Sequence, residues 1–367
     1  MERTGLLALE DGALFWGESV GHEGLRVGEI VFHTSMTGYQ ETLTDPSYAG
    51  QILCFTFPHI GIVGVNEEDS ESKRIWAQGV IMRSFSKETS SWRATGDLQS
   101  LFQKEGVVAL SGVDTRKLTH ILRSKGPQRA CIMAGRIDPR LALHSARSEA
   151  ISPKVPLQQA IEGTDGSLFH VAVLDFGCKR SILQKLTALS CRITLLRGEG
   201  TAEEVMQLHP DGVLISNGPG DPSSYRGAIE AIKFLLDQGM PLFGICLGHQ
   251  LLGLASGARV FKMKQGHHGA NHPILEVPTG KISISSQNHN YAIEERTLPR
   301  CLEVTHRSLF DGSIAGIRHK DRPAFGFQGH PEGGPGPHEL GFLFAEFLTL
   351  IKENIPCPKK PIFTRSS

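Results

Sequence analysis

No run of this sequence reaches the roughly 20 apolar residues that a membrane-crossing helix requires. Leu6 to Leu9 is too short for the core of a signal peptide. Net charge is absent: 38 Lys and Arg stand against 38 Asp and Glu. That balance argues against nucleic acid or an anionic membrane as partner. The seven cysteines are odd in number, scattered and without a C-x-x-C spacing. They fit a reducing, cytoplasmic setting better than a disulfide framework. No internal repeat and no low-complexity tract is present. What is left is an ordinary soluble composition, 40% hydrophobic and 21% charged. A length of 367 residues is enough for two domains.

The two parts differ in pattern. Residues 1 to about 145 read as β-rich. Leu6 to Phe15 forms two strands around an Asp11-Gly12 turn, Gly28 to Thr34 another, and Gln51 to Phe57 a third that stops at Pro58. Ser35 to Tyr48 is polar and rich in turn residues, so a surface loop is its default reading. Val113 to Leu122 is an amphipathic helix with Asp114 or Thr115 as cap. From His170, strands and helices alternate. Strands are expected at His170–Phe176, Arg192–Leu196 and Asp211–Ser216, and again running into Cys246. Helices are expected at Arg180–Leu189, after the Thr201–Glu204 capping box, and around Ala228–Leu236. That order predicts an α/β fold, a doubly wound and mostly parallel sheet with sites at the carboxyl ends of its strands. The boundaries predicted are a domain over 1–148, a linker over 149–168 where periodicity is weak, a second domain over 169–356, and a tail over 357–367.

One stretch organises the rest. The apolar run before Gly244-Ile245-Cys246-Leu247-Gly248 gives way at once to Leu247, Leu251, Leu254 and Ala255 at the helical period. Cys246 therefore sits where a strand turns sharply into a helix, the geometry of a nucleophile elbow. The flanking glycines suit a turn with no room for Cβ atoms. The helix N-terminus offers unpaired N–H groups and a positive dipole end, which suit an anionic sulfur or an oxyanion. A buried structural cysteine is the rival reading. Far downstream, the strand Ala324–Gly329 delivers His330-Pro331-Glu332. Residues two apart in an extended segment face the same way, so His330 can act as base and Glu332 as its orienter. A third motif, Asn217-Gly218-Pro219-Gly220-Asp221, follows a strand and can cradle an anion, but it lacks the Lys-Ser/Thr of a phosphate loop. Gln250 falls on the Cys246 face of the helix. Gln265 to His272 is rich in histidine, yet no further ligand pattern supports a metal.

Gly-Ile-Cys-Leu-Gly-His-Gln together with His-Pro-Glu resembles the class I glutamine amidotransferases. The segments Thr37-Gly38-Tyr39-Gln40-Glu41 and Asp45-Pro46-Ser47-Tyr48 narrow the resemblance to the family of small, glutamine-hydrolysing subunits of carbamoyl-phosphate synthetases. It runs from about Leu6 to about Lys352. The resemblance implies a flavodoxin-like amidotransferase domain preceded by a β-rich β/β/α domain. It implies Cys246, His330 and Glu332 as catalytic triad. It implies glutamine-binding roles for Ser47, Gly218, Gly220, Leu247, Gln250, Asn288, Asn290 and Tyr291, and no metal. Ammonia would pass to a carbamoyl-phosphate synthetase large subunit in a heterodimer, and that subunit would carry ATP and Mg; no cofactor is implied in this chain. The product would serve arginine and pyrimidine biosynthesis.

Departures from the family pattern are mild. Asn290 and Tyr291 replace the common Gly and Phe, Gly333-Gly334 replaces a common Ala-Ser, and Lys154 to Ile161 differs in the linker. Because glycine is usual at 290, Asn290 is expected in a left-handed or bridge conformation. The rivals are a glutaminase serving another synthetase, a free γ-glutamyl hydrolase, and a non-catalytic regulatory subunit. The N-terminal segments speak against the first two, and an intact Cys246, His330 and Glu332 against the third.

Overall fold

The computed structural model describes residues 4–148 and 167–354. The predicted linker, apart from its last two residues, and the predicted C-terminal tail lie outside the described residues. The first part of the chain contains β1 (Gly5–Leu9), β2 (Leu14–Ser19), β3 (Gly24–His33), α1 (Tyr39–Thr44), β4 (Gln51–Phe55), β5 (His59–Ile60), β6 (Gly79–Ile81), β7 (Ser84–Phe85), α2 (Leu98–Glu105), β8 (Val108–Ser111), α3 (Thr115–Lys125), β9 (Gln128–Ala134) and α4 (Pro139–Ala146). Seven of these strands close a barrel in the order β1-β2-β8-β6-β4-β3-β9, with β9 returning to β1. Strands β5 and β7 pair separately. Asp11 makes the first turn by accepting from the Ala13 N–H at 3.0 Å, with Gly12 at φ 96°. Asp114 caps α3 through the Lys117 N–H at 2.9 Å. Leu7, Leu9, Ile30, Ile52, Val108 and Ile132 fill the barrel against Leu118 and Leu122 of α3.

The Ser35–Tyr48 segment is not a surface loop. Gly38, at φ 77°, starts α1, and a 3₁₀ turn over Pro46–Tyr48 follows. Tyr39, Leu43 and Tyr48, four and five positions apart, bury their side chains, so apolar residues hide among the turn residues.

The second part runs β10 (Phe169–Asp175), α5 (Arg180–Ala188), β11 (Cys191–Arg197), α6 (Ala202–Gln207), β12 (Gly212–Ile215), α7 (Arg226–Asp237), β13 (Leu242–Ile245), α8 (Leu247–Ala255), β14 (Val260–Glu276), β15 (Ile282–Ile293), β16 (Leu302–Ser308), β17 (Ile314–His319), β18 (Ala324–Phe327) and α9 (Phe342–Asn354). They form a 9-stranded sheet, β11-β10-β12-β13-β18-β17-β16-β14-β15. The first five strands are parallel in flavodoxin-like order, as the alternation predicts. Beyond β18 every pairing is antiparallel, so the sheet is mixed. Alternate residues of β10 show both faces covered. Ala172 and Leu174 meet α6, α7 and α8, while Val171 and Val173 meet α5 and α9. Phe243 stacks on Phe325 at 4.5 Å and lies edge-on to Phe344. No helix among the described residues is long and apolar enough to cross a membrane.

The barrel touches the sheet domain where the carboxyl ends of β10, β12 and β13 open. Thr34 at the end of β3 donates its N–H to the His268 carbonyl at 3.0 Å. Lys262 pairs with Glu29 at 2.6 Å, and the Arg180 N–H reaches the Glu71 carbonyl at 2.8 Å.

Candidate active site

Cys246 is the hinge between β13 and α8. Its φ of 53° and ψ of −102° lie outside the regions that L-residues favour. Such a backbone costs of order 1–3 kcal/mol and persists only where the surroundings dictate it. Three constraints do so here. The Cys246 N–H is fixed to the Phe327 carbonyl at 2.9 Å. A Cβ on Gly248 would strike the Ile215 carbonyl, and one on Gly244 would lie 2.5 Å from the Gly248 oxygen. The two glycines are therefore needed for close approach, since neither has positive φ.

The thiol, with Cys246 only 2% exposed, faces two neighbourhoods. On one side is a cavity of about 290 Å³. Its lining brings together Ser47, Gly218, Gly220, Cys246, Leu247, Gln250, Asn288, Asn290 and Tyr291, from four separate stretches of sequence. On the other side stands His330, whose charged form gains from contact with Cys246. His330 Nδ1 and Glu332 Oε1 are 2.7 Å apart, and both residues are buried. The histidine and the carboxylate do come together, but not through an extended segment: Pro331 and Glu332 lie in a turn, closed by the Gly333 N–H on the His330 carbonyl at 3.2 Å. His330 Nε2 and Glu332 Oε2 are buried with no hydrogen-bond partner among the described residues, an arrangement proteins seldom keep without a use for it.

Two oppositely charged pulls meet at this pair. Burial, the largest single effect, and Lys179 disfavour the charged imidazole, but the charge and hydrogen bond of Glu332 together with the Cys246 contact outweigh them and raise the His330 pKa. Burial likewise works against the Glu332 carboxylate, while Lys179 and His330 more than reverse it. Lys179 Nζ donates to the same Oε1 of Glu332 at 2.7 Å and to the Gly334 carbonyl. Glu332 is thus held by two cations in a dry environment.

The glycine loop is fixed from beneath. A Cβ on Gly218 would lie 2.6 Å from the Phe176 carbonyl, and Gly220 has φ 93°. Asn217 donates to Ser47 Oγ at 2.8 Å, which ties the loop to the barrel domain. Gln250 donates to the Tyr291 carbonyl at 2.7 Å and to Gln328 Oε1 at 3.1 Å. Burial, then the charge of Asp221, push the Tyr291 phenol up to about 12, so it stays a neutral donor.

Asn290 departs from its expected geometry. It lies inside β15 and is not among the residues with positive φ. The ladder explains this. His289 and Tyr291 on either side pair with His267 and Lys262, and the irregularity is taken up in β14 between those two partners. There Gly266 faces Asn290, and a Cβ on it would strike Asn290 Oδ1. The need for a glycine lies on the partner strand. The Asn290 side chain instead donates to Glu29 Oε2 and meets His268 Nε2, both at 2.9 Å. Asn290→Gly, far from silent, is expected to cost about 1–2 kcal/mol for these two lost bonds. A urea midpoint equal to wild type would refute that.

The histidine-rich stretch lies along β14. His268 meets Asn288 and Asn290, and His267 pairs with Asp311 at 3.1 Å. Burial pushes His272 and His289 below their ordinary range, so they pack as neutral rings.

Sequence reasoning missed several groups. Asp45 accepts from Asn288 at 3.1 Å and from the Ser47 N–H at 2.9 Å, and its place before Pro46-Ser47 was a usable signal. Lys179 and Glu71 left none, since neither sits in a motif.

Comparison with known proteins assigns the family. Residues 172–350 match the family model described as glutamine amidotransferase class-I. Residues 7–132 match that described as carbamoyl-phosphate synthase small chain, CPSase domain. The carbamoyl phosphate synthase small chain of Thioalkalivibrio sulfidiphilus is 50% identical over 367 residues, covering 95% of this chain and 97% of the relative. That of Vibrio cholerae is 48% identical, covering 96% and 99%. That of Escherichia coli K12 is 48% identical, covering 96% and 98%. With both domains matched in order and relatives aligned nearly end to end, this chain belongs to the carbamoyl phosphate synthase small-chain family, glutamine amidotransferases that work as part of a biosynthetic ligase.

Proposed function

We propose that the chain hydrolyses L-glutamine to glutamate and ammonia, and that the ammonia passes to a large synthetase subunit. There it would be joined to bicarbonate with ATP and Mg to give carbamoyl phosphate. The observation that carries this reading is the position of Cys246. It is held in a strained elbow, with the cavity on one side and the His330–Glu332 pair on the other.

The chemistry follows from that arrangement. His330 takes the thiol proton, and the sulfur attacks the side-chain carboxamide carbon. The oxyanion is received at the Leu247 N–H, since the first N–H groups of α8 lack partners within the helix, and at the Gly220 loop. His330 protonates the departing nitrogen, which leaves as ammonia. Water then adds to the thioester, giving its proton to His330, and glutamate is released as the thiol re-forms. General acid–base action by a histidine contributes about 10²- to 10⁴-fold, and one oxyanion donor about 10²- to 10³-fold. Glu332, pinned by Lys179, orients the imidazole and favours its charged form.

The primary test is glutamate release from L-glutamine by the purified chain, alone and with its large subunit. A non-catalytic regulatory chain would release none, and a free γ-glutamyl hydrolase would be indifferent to the partner. A second test concerns Ser47, which reaches the cavity from the barrel domain. Ser47→Ala should raise the KM for glutamine about tenfold, the equivalent of one hydrogen bond, with kcat little changed and the fold intact. An unchanged KM would confine the barrel to docking the partner.

A further inference from the structure

The barrel domain contributes a buried carboxylate to the far side of the His330–Glu332 pair. Glu71 is 4% exposed and Lys179 is 1% exposed. Glu71 Oε1 lies 3.7 Å from Lys179 Nζ, the cation that holds Glu332. Its carboxylate also accepts from the Ser181 N–H at 3.0 Å and from Ser181 Oγ at 2.9 and 2.8 Å. Its carbonyl accepts from the Arg180 N–H, and its own N–H donates to Thr44 Oγ1 at 2.8 Å. These bonds solve a local problem. Lys179, just before helix α5, gives it no side-chain cap, and the first N–H groups of α5 need acceptors. Glu71 supplies them from the other domain. Gly334 fits the same junction, because a Cβ there would strike Glu71 Oε1.

We propose that Glu71 is a positioning residue for glutamine hydrolysis: it caps α5 from the barrel domain and holds Lys179 against Glu332, so that the barrel sets the charge balance at His330. The proposal rests on the glutaminase reading above. The charge count supports it. Glu332 shares one oxygen between His330 and Lys179. Lys179 in turn faces Glu71 and, more distantly, Asp45. Burial raises the Glu71 pKa, with Lys179 and the Ser181 N–H opposing; in its ionised form Glu71 compensates Lys179 and leaves Glu332 available to the imidazolium. Without it, only the more distant Asp45 offsets the lysine charge that acts on Glu332 and His330. The other titratable groups around this cluster are Glu41 and Asp69 on the barrel side, Cys178 beside Lys179, and Cys246. Glu41 is pushed up to about 7, first by burial and then by the charges of Asp69 and Glu71. It is therefore only partly ionised at neutral pH and titrates there itself.

The test is the pH dependence of kcat for glutamine hydrolysis by the complex of this chain with its large subunit. In Glu71→Gln the alkaline limb should move down by about one unit, the scale of a lost neighbouring charge, while the KM for glutamine stays within about twofold. The sign follows from the balance: less compensation of Lys179 disfavours the His330 imidazolium, so its proton is lost at lower pH. Glu71→Asp keeps the charge but withdraws it by one methylene. It should move the limb the same way by a smaller amount, and it carries the test if Glu71→Gln does not fold. In a Lys179→Met background, Glu71→Gln should shift the limb no further, since the route runs through Lys179. A limb that stays in place in whichever of the two Glu71 variants fold overturns the proposal, and so does a rise in KM alone. Absence of hydrolysis in the wild type would instead defeat the glutaminase reading.

Discussion

Cys246→Ser should abolish glutamine-dependent carbamoyl phosphate synthesis by the assembled complex and leave ammonium-dependent synthesis near the wild-type rate. The substitution nearly conserves volume, and a serine hydroxyl can donate to the Asn288 carbonyl as the thiol does at 3.4 Å. The elbow and the cavity should therefore survive. What is lost is the proposed nucleophile. An alcohol is far harder to ionise than a thiol, and His330 is placed to take the thiol proton, so little hydrolysis should remain. Free ammonium bypasses that step, because the ATP chemistry is assigned to the partner. The assay is synthesis from each nitrogen source by wild type and variant. Loss with both sources would make Cys246 structural or the division of labour wrong. Retention with both would remove Cys246 as nucleophile.

Glu332→Gln should lower kcat about 10²- to 10⁴-fold, the range for a general acid–base group disabled by loss of its orienter, with the KM for glutamine nearly constant. Glu332 does not line the cavity, so substrate binding has no direct contact to lose. The amide keeps the shape but removes the charge that reverses the burial penalty on His330. The His330 pKa should then fall, and its proton should be lost at lower pH than in wild type. The same change leaves buried Lys179 with Glu71 as its remaining close carboxylate. Breaking a buried ion pair from one side costs about 3–5 kcal/mol, and denaturant unfolding would register it. A variant with unchanged kcat and a raised KM would place Glu332 in binding instead.

Much of the site was legible because its chemistry is local in sequence. The elbow needs Gly244 and Gly248 beside Cys246, and the His330–Glu332 contact is made within a single turn. The parallel half of the sheet was legible for a similar reason: each strand from β10 to β13 is followed by an amphipathic helix. The antiparallel half was not separated from it, because the period-2 pattern of a strand does not say in which direction its neighbour runs. Asn290 marks the limit of reading a single position. Its partner in the ladder decided its backbone, and the glycine that the close approach requires is Gly266, more than twenty residues away.

The sequence by itself determined the elbow at Cys246, the nearness of His330 and Glu332, the glycine loop and the alternating elements that carry them, since turns, caps and short-range spacing are properties of neighbouring residues. Tertiary structure alone decided what surrounds them. Ser47 reaches the cavity from another domain, Asp45 holds Asn288 from the same side, Glu71 caps a helix across the same boundary, and Lys179 finds Glu332 more than 150 residues downstream. Those contacts have no period and no motif. They exist because a buried charge or an unpaired N–H must find a partner, and only the packed fold determines which groups lie within reach.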